Sequence, residues 1–216
     1  MDKEQDHFQL ERIALFSDAV FAIAITLLII EIHIPEHLHN ATDADLLDYL
    51  DGIIPKFIGF LVSFFVIGQF WMAHHRMFLY LRTSGPKLLA SNLLFLLPIV
   101  VMPFSTAFLS EFFDSELRVP LAFYTGTILL AGLFSYRLWH VALDPANKLG
   151  PPVDKVVLRY NGTRALMAPA IFVALLLISF ISRKAAFTLI PFILLSGWAV
   201  RRYFLRRHAD KIKPHL

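Results

Sequence analysis

Few residues in this sequence could carry out chemistry, and most of them lie in or beside long apolar runs. Asp18 lies near the start of the first run, and Glu31 lies at its end. The histidine pair His74 and His75 lies near the end of the second. A carboxylate or an imidazole in such a position could relay protons, bind a cation or hold helices together. The sequence contains no cysteine, which excludes disulfides, thiolate metal sites and cysteine catalysis.

The composition places these residues in an integral membrane protein. The chain has 216 residues, of which 57% are hydrophobic and only 17% charged, and its mean hydropathy is +0.62. Soluble domains are nearer a quarter charged. Six apolar runs predict an all-α membrane protein with six transmembrane helices, which form a single domain over residues 1–216. The predicted spans cover residues 13–34, 53–78, 88–109, 119–141, 165–181 and 185–204.

Basic residues are concentrated on one side of the predicted membrane. The loop after the second span, the region between the fourth and fifth spans and the C-terminal tail together hold most of the 20 Lys and Arg residues. The positive-inside rule therefore predicts a multi-pass protein of the cell membrane with both termini cytoplasmic. On the external side, residues 40–52 are predicted to form a short amphipathic helix with Thr42 as its N-cap.

Asp18 needs polar partners, because a carboxylate at this depth is costly unless it is paired or reaches water. At the same end of the membrane the second span offers Trp71 and His74, and the third offers Ser91 and Asn92. The sequence thus predicts a buried polar network that joins the first three spans. We favour a structural role for Asp18, in which it fixes the first helix against its neighbours. A proton relay or a cation site is the alternative.

One narrow stripe of the first helix is almost wholly apolar. Asp18 and Ser17 point away from this stripe, and Thr26 flanks it. Periodicity alone favours contact of the stripe with lipid or with a protein core. Glu31 is either a residue at the external mouth that attracts cations or an ordinary solvated helix end. The members of the stripe are Arg12, Phe16, Ile23, Leu27, Ile30 and Ile34.

Three motifs resemble those of the transmembrane protein 175 family. The first is RIALFSDAVFAIAITLL at residues 12–28, which has the Arg, three residues, Phe-Ser-Asp pattern of that family's first helix. The second is FWMAHHRMF at 70–78, similar to Trp-x-x-His-x-x-x-Phe on the second helix. The third is NLLFLLPIVVMPFSTAF at 92–108. The six-span pattern agrees over the whole chain, and a single six-helix repeat resembles the prokaryotic members.

The resemblance implies a potassium-permeable channel that conducts ions passively. In that family prokaryotic members are homotetramers, and the first helix of each subunit lines a central pore. Carried over, the constriction would be Ile23, Leu27 and Ile30, with Thr26 nearby, and Glu31 would lie at the pore mouth. The polar network that holds the pore helix would then comprise Arg12, Phe16, Ser17, Asp18, Trp71, His74 and Asn92.

Other functions remain open at this point. A proton channel or a proton-coupled transporter that uses Asp18 and His74 is the main alternative. An enzyme is not expected, because the sequence has no nucleotide-binding loop, HExxH or GxSxG motif. The expected partners are other copies of the chain, potassium ions and the lipid bilayer. No cofactor, fixed metal or nucleic acid is expected.

Overall fold

All the long secondary-structure elements in the described part of the protein are α-helices. The computed structural model describes residues 3–34, 41–113, 115, 117–182, 185–186, 188 and 190–212. No strand occurs in these ranges. The helices are α1 Lys3–Ile30, α2 Asp43–Gly52, α3 Ile54–Phe78, α4 Pro86–Glu111, α5 Val119–Leu143, α6 Lys155–Ser179 and α7 Ile190–Ile212.

The starts of three long helices have a simple local cause. Prolines 55, 86 and 120 occupy the first turns of α3, α4 and α5. The missing N–H of proline costs nothing there, and its fixed φ angle already suits a helix. Asp154 caps α6 by accepting a hydrogen bond from the backbone N–H of Val156 at 2.8 Å.

The bundle is organised around α4. This helix packs against α1, α3 and α5, and α6 then packs against α5 on one side and α7 on the other. Phe95, Ile99 and Met102 of α4 are at most 1% exposed. They belong to an apolar core to which α1, α3, α5 and α6 also contribute. Helix α1 therefore lies against a well-packed support.

Among the described residues, five helices are long and apolar enough to span a membrane. They are α1 from Gln5 onward, α3, α4, α5 and α6. These correspond to the first five predicted spans, although α1 and α6 begin about ten residues before the predicted boundaries. The sixth prediction, 185–204, falls partly on α7, which does not meet this standard among the described residues. The six-span count therefore stays a prediction.

The predicted amphipathic helix is confirmed as α2. Thr42 is its N-cap, and the hydroxyl of Thr42 accepts a hydrogen bond from the backbone N–H of Asp45. The Asp45 carboxylate accepts in return from the Thr42 backbone and hydroxyl at 2.8 and 2.6 Å, which holds the pKa of Asp45 below its usual value. Predicted residue 40 lies outside the described part. The Tyr49 hydroxyl donates to the His33 carbonyl and so ties α2 to the end of α1.

Helices α5 and α6 approach each other closely at Gly132. A Cβ atom at this position would lie 2.2 Å from Cγ of Pro169 and 2.9 Å from the carbonyl oxygen of Ala165. Small residues at such crossings let transmembrane helices approach to backbone contact. Gly126, on the same helix, would meet nothing within 4 Å.

We expect Gly132→Ala to destabilise the bundle by roughly 1–3 kcal/mol, because the new methyl group has no room between α5 and α6. Thermal unfolding of the purified protein in detergent would show this as a lower midpoint. Gly126→Ala is the matched control and should leave the midpoint nearly unchanged. Equal effects of the two substitutions would contradict close packing at Gly132.

Candidate functional site

Helix α1 has one face against the bundle and another that the single chain leaves uncovered. Phe21, Ala24 and Leu28 are 1%, 2% and 1% exposed and pack into the core. On the predicted stripe, Ile23 and Ile30 are 58% and 59% exposed. Leu27 is exposed as well, as are Arg12, Phe16 and Ile34. The stripe therefore faces away from the core of its own chain.

A buried hydrogen-bond chain holds the inner face of α1. The His74 ring donates from Nε2 to the Asn92 side-chain oxygen at 2.7 Å. The Asn92 amide donates to the Ser17 hydroxyl at 2.9 Å, and Ser17 donates to the Ile13 carbonyl at 2.8 Å. Ser17, Asn92 and His74 are all buried. This chain links α1, α4 and α3, three helices that the sequence predicted to share a polar network.

Aromatic rings enclose His74. Its imidazole stacks on Phe95 with ring centroids 5.7 Å apart and an interplanar angle of 17°. Phe78 and Phe21 contact it at 4.7 and 5.7 Å. The sequence analysis did not single out these three rings. One signal was available for Phe21, which follows Ser17 by four residues and so lies on the same face of α1.

Asp18 makes a separate contact with α3. Its carboxylate accepts a hydrogen bond from the Trp71 indole N–H at 2.8 Å, near the surface of the chain. The carboxylate thus has a partner, as its depth requires. The structure divides the predicted network into two links, Asp18 with Trp71 and Ser17 with Asn92 and His74.

Arg12 and Phe16 do not join either link within the single chain. The Arg12 guanidinium lies over the Phe8 ring at 5.9 Å. Together with Phe16 it borders an open hollow whose other wall includes Leu89 and Leu93 of α4. Both residues lie at the cytoplasmic end predicted for α1, on the exposed face.

The opposite end of α1 opens onto a hollow of about 510 Å³ that contains both signs of charge. Glu31 is exposed there and follows the last residue of the helix. Lys56 and Glu111 line the same hollow and form an ion pair at 2.7 Å. The predicted mouth residue therefore lies near one lysine and one further carboxylate.

Thr26 is exposed beside the stripe. Its hydroxyl is within hydrogen-bonding distance of the Ala22 and Ile23 carbonyls, at 3.0 and 2.9 Å. Because the hydroxyl hydrogen is directed at the helix backbone, the lone pairs of the oxygen remain available on the exposed side. Thr26 immediately precedes Leu27 in the chain, so its hydroxyl oxygen is a polar side-chain atom close to the middle of the apolar stripe.

A second buried hydrogen-bond chain lies farther along α4. The Thr106 hydroxyl contacts Ser63 of α3 at 2.8 Å, and Ser63 contacts the Tyr124 hydroxyl of α5 at 2.8 Å. All three residues are buried. The sequence analysis did not identify this chain, because three hydroxyl residues on separate helices share no local pattern. It joins α3, α4 and α5 at a position farther along α4 than Asn92, the residue that binds Ser17 of α1.

Comparison with known proteins supplies the family. The model of the family described as the endosomal/lysosomal potassium channel TMEM175 matches residues 12–103. This segment contains α1 from Arg12 onward, both polar links and most of α4. The match therefore covers the first two sequence motifs in full and the third up to residue 103.

Individual relatives extend the likeness over most of the chain. A potassium channel of Chamaesiphon minutus is 33% identical over 172 residues, covering 79% of this chain and 84% of that protein. The human endosomal/lysosomal proton channel TMEM175 is 31% identical over 153 residues, which is 66% of this chain and 30% of the human protein.

A solved structure agrees with the fold. The crystal structure of a lysosomal potassium-selective channel TMEM175 homologue from Chamaesiphon minutus superposes with a TM-score of 0.72 at 30% identity. It covers 89% of this chain and 97% of that chain. The family is one of ion channels and not of enzymes. This multi-pass membrane protein therefore belongs to the TMEM175 channel family.

Proposed function

We propose that this protein is a potassium-permeable channel, formed by four copies of the chain around a central pore that α1 lines. The constriction consists of Ile23, Leu27 and Ile30, and Thr26 offers a hydroxyl oxygen beside it. The single observation that carries this proposal is the long apolar face of α1 that its own chain leaves uncovered.

The uncovered face by itself is compatible with lipid contact, so its position in the bundle matters. Among the long helices, α1 packs chiefly against α3 and α4. It therefore lies at one edge of the bundle. One edge helix cannot enclose a water-filled path. Cyclic symmetry brings equivalent edge helices of several copies around one axis. A tetramer with α1 at the axis would cover the stripe and create the path.

An apolar ring is a workable gate. A narrow passage lined by isoleucine and leucine expels water, and it conducts only when it widens enough to wet. Such a ring offers few oxygen ligands to a cation. The preference for potassium therefore rests on the relatives, two of which are described as potassium channels of Chamaesiphon minutus and Streptomyces collinus.

The polar links have a positioning role in this proposal. Ser17 and Asp18 are bound to different helices, so together they fix both the rotation and the tilt of α1. The stripe is then aimed at the axis. In the cell membrane, with both termini in the cytoplasm, these links would lie at the cytoplasmic half of the pore and Glu31 at its external mouth.

Proton permeation is a second candidate, which the likeness to the human proton channel TMEM175 favours. Asp18 lies near the surface of the chain and could exchange a proton with water there, although it points away from the stripe. His74 is less suited, because aromatic rings surround it and Asn92 occupies its Nε2. Among the described residues no carboxylate is hydrogen-bonded to this imidazole.

We expect Ile23→Asn or Leu27→Asn to raise the potassium leak of reconstituted proteoliposomes several-fold, because a polar side chain lets water occupy the constriction. Potassium flux and single-channel current would be measured. Ile29→Asn is the matched control: Ile29 is also exposed on α1 but points about a third of a turn away from the stripe. Unchanged currents in both stripe variants, or an equal rise in the control, would contradict the proposal that the stripe lines the pore.

We expect Asp18→Ala to reduce the tetramer fraction more than the current per assembled channel, because the Trp71 indole loses its acceptor. Asp18→Asn keeps an oxygen acceptor without the charge, so it should restore assembly. Size-exclusion chromatography with light scattering would measure the first effect and bilayer recording the second. Normal assembly of Asp18→Ala together with lost current would contradict the positioning role.

The same Asp18→Asn variant separates the two candidate permeants. For a potassium channel, the reversal potential should follow the potassium gradient, and Asp18→Asn should leave that dependence unchanged. Recording under opposed potassium and proton gradients measures this. A reversal potential that follows the proton gradient, and a proton current that disappears in Asp18→Asn, would favour the alternative.

A further inference from the structure

A cavity of about 640 Å³ opens between α3, α6 and α7, and Ile25 of α1 and Trp71, the partner of Asp18, lie at its border. Its apolar wall includes Phe64, Phe65 and Met72 of α3, and all three side chains are exposed. The volume is within the range of ordinary ligand sites. A cavity with a wall of this kind accommodates a hydrocarbon chain.

Three arginines from three helices converge on the same cavity. Arg76 comes from near the end of α3, Arg164 from the first half of α6 and Arg201 from α7. They lie close enough for Arg164 and Arg201 to repel the charge of Arg76. Converging like charges are unfavourable unless an anion lies between or beside them.

No anion from the described part of the chain neutralises this cluster. The close pairs of oppositely charged side chains described in the structure, such as Lys56 with Glu111, lie elsewhere. Arg164 donates to the Tyr160 hydroxyl at 3.0 Å, a neutral partner. Nε of Arg76 is buried and has no hydrogen-bond partner. A buried guanidinium N–H without an acceptor is rare, since it loses the hydration of that group.

The cavity thus combines guanidinium donors with an apolar wall and an indole. Phosphate oxygens are the acceptors that arginine binds best, through short charge-assisted hydrogen bonds. Trp198 lines the cavity beside Arg201, and tryptophan is enriched at the level of lipid headgroups. A free phosphate ion would use the arginines and leave the apolar wall open, whereas a phospholipid would use both.

We propose that an anionic phospholipid binds in this cavity, with its phosphate at Arg76, Arg164 and Arg201 and an acyl chain along Phe64, Phe65 and Met72. Arg76 lies at the end of α3 and Arg201 in the basic half of α7, so the three guanidinium groups mark the basic end of the bundle. Basic cavities between helices on the cytoplasmic side suit anionic headgroups. None of the three arginines comes from α1, and the site does not depend on which ion permeates.

The test uses the purified full chain in a neutral detergent. Dioleoylphosphatidylglycerol, dioleoylphosphatidylcholine and inorganic phosphate are titrated separately. Native mass spectrometry counts bound lipids, and the thermal unfolding midpoint reports stabilisation. We expect phosphatidylglycerol to bind more tightly than phosphatidylcholine and to raise the midpoint more than inorganic phosphate does.

The variant is the double substitution Arg164→Gln with Arg201→Gln. It should weaken phosphatidylglycerol binding roughly 30-fold, the loss expected from two charge contacts with an anionic lipid. The matched control, Arg159→Gln with Arg206→Gln, removes the same charge from exposed positions of the same two helices, and neither residue lines the cavity. The control should bind phosphatidylglycerol as the unmodified chain does.

Arg201→Gln alone covers the case in which the double variant fails to fold, because Arg201 is exposed. It should weaken phosphatidylglycerol binding roughly fivefold, while Arg206→Gln does not. Equal affinity for the two lipids would overturn the proposal. So would unaltered binding by the cavity variants, an equal loss in the matched control, or full stabilisation by inorganic phosphate alone.

Discussion

The hydrogen-bond chain from Ser17 through Asn92 to His74 sets the rotation of α1, and the exposed face of that helix depends on it. A polar group inside an apolar bundle must find a partner within the protein. Only one rotation of α1 brings Ser17 to Asn92. That rotation turns Phe21 into the core and leaves Ile23 outside. A small polar motif thus decides where a large apolar surface points.

Helix α4 can serve as the support because it is itself attached at two depths. Asn92 holds α1 near one end, and Thr106 contacts Ser63 farther along. The two positions are about 21 Å apart at 1.5 Å per residue. Apolar packing alone is weakly directional, and polar contacts at two depths add resistance to sliding and rotation. Farther from α1, the missing side chain of Gly132 lets α5 pack closely against the backbone of α6, which stabilises this part of the bundle as well.

The charged groups at the two ends of the bundle differ in whether they contact a group of opposite charge. At the Glu31 end, Lys56 and Glu111 pair across α3 and α4. At the other end, Arg76, Arg164 and Arg201 meet without a described carboxylate. A protein that folds in lipid can leave such a cluster to an external anion, since headgroups supply phosphate at the same depth. The bundle therefore has one end at which a lysine pairs with a carboxylate and one at which arginines meet without such a pair.

The sequence by itself determined the membrane class, five of the long helices and the α2 cap. An apolar run of this length is long enough to cross a membrane as a helix, so it has few other stable structures. The α2 cap is predictable because capping involves residues only three positions apart in the chain. The sequence also named the polar groups that meet between α1, α3 and α4, although the predicted members Arg12 and Phe16 join neither link. It did not predict how far α1 and α6 extend beyond the apolar runs, because a helix can continue into water with its backbone still hydrogen-bonded.

Only the tertiary structure decided which groups meet. Periodicity gives the angle of a side chain around its own helix, but it does not give the rotation or depth of the neighbouring helix. Asp18 therefore binds Trp71, while Asn92 and His74 serve Ser17. For the same reason no local pattern could reveal the cavity arginines, which come from helices far apart in the chain. Their convergence is a property of helix packing.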